Sequence, residues 1–134
     1  MSNIKYLLKN WSRQEIDIFL ETKEFLTCNF KNKISENKME NYFEEIKNKV
    51  DRINNLDKQW VACNQEHEKY TVIKAMEKLN TIDMFLNKIT KEMVSDIIDE
   101  ICKSMSDKNI VHKPRIVFYI LVLDQIRKKQ RKDI

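Results

Sequence analysis

The sequence predicts an all-α protein, and the strongest indication is what its composition lacks. Its 134 residues include no glycine and a single proline, Pro114. Glycine supplies the positive-φ positions of tight hairpins and phosphate-binding loops, and proline interrupts helices. A chain with so little of either favours helices joined by short polar turns, and it excludes glycine-dependent nucleotide motifs. We therefore expect a compact bundle of roughly five to seven helices.

Length and composition predict one domain built on one core. Hydrophobic residues make up 42% of the chain, which supplies enough apolar surface for a core in a domain of this size. We divide the predicted single domain, residues 1–134, into three parts. They are an N-terminal helical extension at residues 1–41, a core bundle at residues 42–129, and a basic tail at residues 127–134.

Cysteine usage and apolar run lengths predict an intracellular protein, in the nucleus or the cytoplasm. Cys28, Cys63 and Cys102 are scattered and odd in number, which is typical of free thiols in a reducing compartment. The chain does not open on a charged-then-apolar leader. Its longest apolar run, residues 116–123, is far shorter than the ~20 residues that span a membrane, so no membrane partner is expected.

Serine residues mark the predicted starts of the first two helices. Ser12 and Glu15 have capping-box spacing, in which each side chain satisfies a free amide of the first turn. A second helix follows Ser35 and is expected to end at Asn54 and Asn55, because asparagine tolerates the left-handed conformation that closes helices. A short helical or extended lead-in precedes Ser12. The apolar stripes of the two helices contain Ile16, Phe19, Leu20, Leu26, Met39, Tyr42, Phe43, Ile46, Val50 and Ile53.

The middle of the chain predicts further, shorter helices. Residues 56–69 have a weak apolar side that includes Trp60, which predicts either a third helix or an exposed excursion. Clearer stripes predict helices over residues 71–79 and 90–105, with a short helix through Met84 and Ile89 between them. A polar turn is expected after the second of these stripes.

The run at residues 116–123 predicts the central element of the fold. These residues are apolar on every side, and a helix of that kind must be surrounded by protein. A buried strand would show the same pattern, but a lone strand would lack a pairing partner in a chain so poor in turn residues. We therefore expect a fully apolar C-terminal helix that starts near Pro114, with the other helices around it.

The net charge of +4 belongs to the end of the chain. The last ten residues hold five basic side chains and one acidic one, and the remainder is balanced at 20 of each sign. The basic residues are Arg127, Lys128, Lys129, Arg131 and Lys132. They could contact nucleic-acid phosphates, an acidic partner or an import receptor. The simpler interpretation is a solvated helix end whose cations complement the helix dipole.

Two groups of side chains are of the types that metal sites and acid–base catalysts use. They are Cys63 and His67 with neighbouring Glu66 and Glu68, and the acidic residues Asp96, Asp99 and Glu100. The first group has no recognisable further ligands, whereas zinc takes three or four. The second is expected to be a solvated face of a helix. Neither histidine has a triad context, so we expect no catalytic residue, no metal and no cofactor.

Three stretches follow one another as in a known family of helical domains. They are EIKN and INNLD within residues 45–57, IKAMEKL at residues 73–79, and Ile98, Ile101, Ile110, Lys113 and Ile126–Lys128 near the end. On these stretches, residues 42–129 resemble the integrase-binding domain of the lens epithelium-derived growth factor family. That fold groups with the N-terminal helical bundle of transcription elongation factor TFIIS.

The resemblance implies binding of short, disordered acidic–aromatic peptides from chromatin and transcription factors. Family members recognise these peptides with two inter-helix loops. Asn54 stands where the family's first loop carries an acidic residue, and Ser104 and Ser106 stand near the apolar anchors of the second. The partner-binding residues that the resemblance implies here are Ile53, Asn54, Asn55, Lys103 and Met105.

The leading hypothesis is a non-catalytic protein-interaction module in transcription or nuclear regulation. It would bind a partner peptide or helix through an apolar groove or through inter-helix loops. One alternative is a small nucleic-acid-associated regulator that uses the basic C-terminal end. Another is a subunit of a larger helical assembly or oligomer, since a bias toward Lys, Asn and Ile is typical of viral and other AT-rich sources.

Overall fold

The computed structural model is all-helical. It describes residues 9–31, 33–57, 59–79 and 89–132, and at positions 54, 131 and 132 it describes the backbone alone. The helices are α1 (Arg13–Asn29), α2 (Glu36–Lys49), α3 (Ile53–Leu56), α4 (Glu66–Lys78), α5 (Lys91–Asp107) and α6 (Arg115–Lys132). Over the described ranges there is no strand, and one isolated antiparallel bridge pairs Trp60 with Pro114. The all-α prediction is therefore confirmed.

The predicted starts of the first two helices are confirmed by their caps. Ser12 Oγ accepts a hydrogen bond from the Glu15 amide at 3.1 Å, and the Ser12 amide donates to Glu15 Oε1 at 2.7 Å. This is the reciprocal capping box that the spacing predicts. Ser35 caps α2 through the Lys38 amide. Thr90 caps α5 in the same way.

Removing the first cap is expected to destabilise the protein measurably. We expect Ser12→Ala to lower the free energy of unfolding by about 1 kcal/mol, because amides of the first turn lose their acceptor. Chemical denaturation with wild type alongside measures the difference. Ser106→Ala, an exposed serine inside α5, is the matched control and should change stability by less than about 0.5 kcal/mol. Equal losses in both variants would contradict the capping role.

The same cap gives the protein an acid-sensitive contact. Burial acts to raise the pKa of Glu15, but the hydrogen bonds with Ser12 and the charge of Lys47 outweigh it, and the pKa falls below its ordinary 4.5. A lowered carboxyl pKa stabilises the fold above about pH 4.5, and that stabilisation is lost as the pH falls through the lowered value. Glu15→Gln is therefore expected to weaken the acid dependence of unfolding.

The predicted end of the second helix is wrong, since α2 stops at Lys49 and not at the asparagine pair. The amides of Val50 and Asp51 both donate to the carbonyl of Ile46, which closes α2. The Asp51 carboxylate then accepts the Arg52 amide at 2.7 Å and the Asn55 side chain at 3.2 Å. These bonds start the separate single turn α3, because an aspartate side chain competes with helix continuation.

Of the two alternatives for residues 56–69, the third helix is wrong, and an exposed excursion describes residues 59–65, most of which are exposed. Residues 59–65 form an irregular segment, and α4 begins at Glu66, earlier than the residue 71 that the apolar stripe indicates. Backbone pairing with the other end of the core replaces helical bonds here: the Val61 amide donates to the Lys113 carbonyl at 2.8 Å. The predicted lead-in before residue 9 and the short helix through Met84 lie outside the described residues.

Helix α6 contacts each of the other five helices. Its residues 116–123 are all buried, and the run is helical. An aromatic cluster lies in the core between α1 and α2. The rings of Phe19 in α1 and Phe43 in α2 pack edge to face, with their centroids 5.1 Å apart. Trp11 packs on both rings. None of the described helices has the length and apolar character needed to cross a membrane.

The prediction of free thiols is wrong for two of the three cysteines. Cys63 and Cys102 form a disulfide across a sequence separation of 39, and Cys28 is free and exposed. The spacing of cysteines along the chain does not reveal that the turn before α4 lies against α5. Their Cα atoms are 5.9 Å apart, which is within the range that a disulfide bridges.

Candidate functional site

Two inter-helix segments form a surface groove at one end of the bundle. The first, residues 59–65, leads into α4, and the second, residues 108–114, connects α5 to α6. Asn109 adopts a positive φ of 60°, a conformation that asparagine tolerates better than most residues, and this turns the chain out of α5. Two backbone hydrogen bonds, Val61 to Lys113 and Arg115 to Gln59, then join the segments.

A buried ion pair joins α4, which directly follows the first segment, to the start of α6. Arg115 Nη2 lies 2.7 and 2.9 Å from the two carboxylate oxygens of Glu68, and it also reaches the Trp60 carbonyl at 3.5 Å. Arg115 Nη1 donates to the Tyr119 hydroxyl at 3.3 Å. Both members of the ion pair are largely shielded from solvent. The backbone that carries Trp60 is therefore held by charge-assisted bonds.

Ionisation of this cluster is set by burial and by its partners. Burial acts to lower the pKa of Arg115, but the Tyr119 hydroxyl and the Glu68 carboxylate raise it above its ordinary value. Burial raises the pKa of Tyr119 despite the opposing charge of Arg115. The guanidinium therefore stays charged and the phenol stays neutral at physiological pH.

The groove exposes large apolar side chains that the core does not use. Trp60 is 55% exposed and Val111 is 76% exposed. The imidazole ring of His112 lies 3.8 Å from the Trp60 ring, centroid to centroid, and covers part of it. The groove has a volume of about 470 Å³, and the sulfur-bearing residues Cys63 and Cys102 form part of its wall. Exposed aromatic residues beside a concave surface are typical of protein-binding sites.

The groove lining is apolar and polar in similar measure, with a positive edge. Among the described residues that line it, Lys113 carries the single formal charge and no carboxylate is present. The other lining groups are apolar or are small polar side chains such as Asn64 and Ser106. An occupant with apolar side chains and an acidic group would complement this surface.

The partner-binding residues implied by the resemblance are only partly at the surface. Ile53 and Met105 are buried in the core, and Asn55 and Lys103 are exposed. The side chain of Asn54 lies outside the described part of the structure. Apolar contacts with a partner would therefore have to come from neighbouring positions, and the groove supplies them next to Cys102 and Ser106 on α5.

Two of the basic C-terminal residues, Arg127 and Lys128, are paired within the protein. Arg127 forms a two-pronged ion pair with Glu45 of α2, in which Nη2 lies 2.8 Å from Oε1, and this hydrogen bond raises the Arg127 pKa. Lys128 pairs with the buried carboxylate of Asp124 at 3.0 Å. Lys129 is half-buried, and the side chains at 131 and 132 are outside the described residues. A phosphate would have to compete with these pairs for Arg127 and Lys128.

The residues considered for metal binding or catalysis are not gathered into a site. Cys63 is consumed by the disulfide, which removes it as a thiolate ligand. Across the described ranges, no three His, Cys, Asp or Glu side chains are placed to hold a metal ion. Asp96, Asp99 and Glu100 lie exposed on α5, and Asp99 pairs with Lys69 at 2.9 Å.

The groove residues Trp60, Val111 and His112 were not predicted as a site. The sequence pattern places Trp60 either on the apolar side of a third helix or in an exposed excursion, and Val111 and His112 fall in a connection with no predicted element. The available signal was the weak periodicity of residues 56–69, where a tryptophan lies among polar residues with no continuing stripe. A large aromatic without a helical stripe is better explained by surface exposure.

No protein-family model, curated protein or solved structure matches this chain. The resemblance of residues 42–129 to the integrase-binding domain therefore stays a prediction.

Proposed function

We propose that this protein is a non-catalytic protein-interaction module that binds a peptide or helix of a partner in the groove at Trp60 and Val111. The observation that carries the proposal is the pair of large apolar side chains, Trp60 and Val111, that lie exposed at the groove while the buried Arg115 guanidinium contacts the Trp60 carbonyl. Leaving Trp60 in water costs hydrophobic free energy, and the Arg115–Glu68 pair keeps its backbone in place. A preorganised aromatic anchor loses little entropy on binding.

The proposed occupant is an extended or helical segment with apolar side chains and at least one acidic residue. The apolar groups would pack on Trp60 and Val111, and the acidic group would pair with Lys113 at the edge. This choice depends on the charges of the groove lining, where the described residues include a lysine and no carboxylate.

The proposal includes a compact bundle of roughly five to seven helices centred on the apolar α6. The burial of residues 116–123 and the contacts of α6 with every other helix support it. A role in transcription or nuclear regulation is part of the proposal on the strength of the resemblance alone. The rigid core would then serve to present the groove.

Peptide selection tests the proposal without a known partner. A random peptide library displayed on phage is selected on the full chain, and the recovered peptides are measured by fluorescence anisotropy. We expect the recovered peptides to contain both acidic and apolar residues. We expect Trp60→Ala to weaken their binding by at least about 30-fold, as for an aromatic anchor that becomes buried in a complex. Tyr70→Ala is the matched control, since Tyr70 is 60% exposed and does not line the groove.

The outcomes separate the candidate occupants. Peptides that bind Trp60→Ala as tightly as wild type, or a selection that recovers none, would refute the groove as a peptide site. A concentration-dependent dimer in sedimentation that is lost in Trp60→Ala would identify a second copy as the occupant, contrary to the proposal. Lys113→Glu should weaken the binding of acidic peptides about tenfold and leave the binding of neutral peptides unchanged.

A further inference from the structure

The disulfide is part of the groove wall and is accessible to solvent. Cys63 is exposed and Cys102 is half-buried, and both line the groove beside Val111. The bond joins the turn before α4 to the outer side of α5. A reductant can therefore approach Cys63 without unfolding the core.

The other described contacts that hold this wall are noncovalent. The Ala62 amide donates to Glu68 of α4 at 3.3 Å, and the Gln65 amide donates to the Ala62 carbonyl at 3.1 Å. Between α4 and α5, the described ion pairs are Lys69 with Asp99 and Lys91 with Glu77. These side chains are partly or largely exposed, and exposed pairs contribute about 0–1 kcal/mol. The disulfide is thus the covalent tie that holds residues 62–65 against α5.

We infer that the Cys63–Cys102 disulfide is a redox lock on the docking groove, so that the oxidised protein holds the binding-competent shape and reduction releases it. The inference rests on the proposed function for its biological meaning. In the oxidised form both walls of the groove are fixed to the core. In the reduced form, residues 62–65 lose their covalent tie to α5, and the groove loses one wall.

The switching step is ordinary thiol–disulfide exchange with a dithiol reductant. A thiolate of the reductant attacks the exposed Sγ of Cys63, the Cys63–Cys102 bond breaks, and Cys102 leaves as a thiolate. The second thiol of the reductant then resolves the mixed disulfide. Two electrons pass to the cystine, two protons end on the thiols of Cys63 and Cys102, and the dithiol becomes a disulfide.

Amide hydrogen exchange tests the lock without any partner. The full chain carrying Cys28→Ser, which prevents disulfide exchange with the free thiol, is compared with and without dithiothreitol at 10 °C. We expect the hydrogen-bonded amides of Ala62 and Gln65 to exchange at least about tenfold faster after reduction, while residues 116–123 stay protected in the first minutes. The Cys63→Ser/Cys102→Ser variant should match the reduced form and should not respond to the reductant.

Two exchange results would overturn the lock. Unchanged protection at Ala62 and Gln65 would show that other contacts hold the wall. Simultaneous loss of protection at residues 116–123 would show that the disulfide stabilises the whole fold. The groove would then open only when the core unfolds. Peptides selected on the oxidised chain give a separate readout, in which reduction should weaken binding about tenfold through lost preorganisation. Failure to select peptides would count against the proposed function and leave the exchange result standing.

Discussion

Replacing both bridged cysteines with serine is expected to lower the free energy of unfolding by about 4 kcal/mol. The disulfide closes a loop with a sequence separation of 39, and a cross-link of that span removes substantial entropy from the unfolded chain. For a chain of 134 residues this corresponds to a fall in Tm of roughly 10–15 °C. Differential scanning calorimetry of the oxidised wild type and the Cys63→Ser/Cys102→Ser variant measures both quantities.

Cys28→Ser is the internal control for this experiment. Cys28 is an exposed free thiol, so the substitution should change stability by less than about 0.5 kcal/mol. Adding dithiothreitol should lower the Tm of the Cys28→Ser protein to that of the double variant. A double variant as stable as oxidised wild type would mean that the cross-link does not constrain the unfolded chain.

Arg115→Met is expected to lower the free energy of unfolding by about 3 kcal/mol or more. The substitution leaves the Glu68 carboxylate largely buried without its cation, and it removes the contact with the Trp60 carbonyl. Loss of one partner of a buried pair costs more than the pair itself contributes, because the remaining charge stays desolvated. Urea denaturation at pH 7 measures the effect.

An exposed ion pair in the same molecule supplies the comparison. Lys23 Nζ and Glu36 Oε1 are 2.9 Å apart, and both side chains are partly exposed. Lys23→Met should therefore lower the free energy of unfolding by less than about 1 kcal/mol. Adding Glu68→Leu to Arg115→Met should recover part of the lost stability, since no charge then stays buried. If Arg115→Met is as mild as Lys23→Met, solvent reaches Glu68 freely and the Arg115–Glu68 pair does not hold the groove.

The elements that sequence patterns predicted well are those whose signals are local. Ser12, Ser35 and Thr90 each cap a helix because their hydroxyls act within three residues. The apolar run at residues 116–123 is helical and buried. The end of α2 was not predicted because it depends on a side chain. The Asp51 carboxylate accepts the Arg52 amide in place of a helical carbonyl, and the spacing of apolar residues does not show this hydrogen bond.

The groove could not be predicted because it depends on contacts between distant residues. Trp60 pairs with Pro114 across the fold, and Cys63 meets Cys102 only after α4 and α5 have packed. Periodicity within residues 56–69 reports neither contact. The implied binding positions Ile53 and Met105 were chosen from loops in another family, and here their side chains belong to the core.

The disulfide also bears on where the protein works. Disulfides persist in oxidising compartments, whereas the intracellular prediction drew partly on three free thiols. An intracellular location stays a prediction and no longer has that support. A thiol-trapping experiment on protein from its native source, which counts alkylated cysteines before and after reduction, would show the state of the Cys63–Cys102 pair.

The position of α6 in the chain sets when folding can finish during synthesis. Ribosomes add residues from the N-terminus at about 5–20 per second, so α6 emerges after every other described helix. Until it does, the apolar faces of α1, α2, α4 and α5 have no central partner to cover them. Apolar surface that α6 buries in the folded protein therefore stays exposed until α6 has been synthesised.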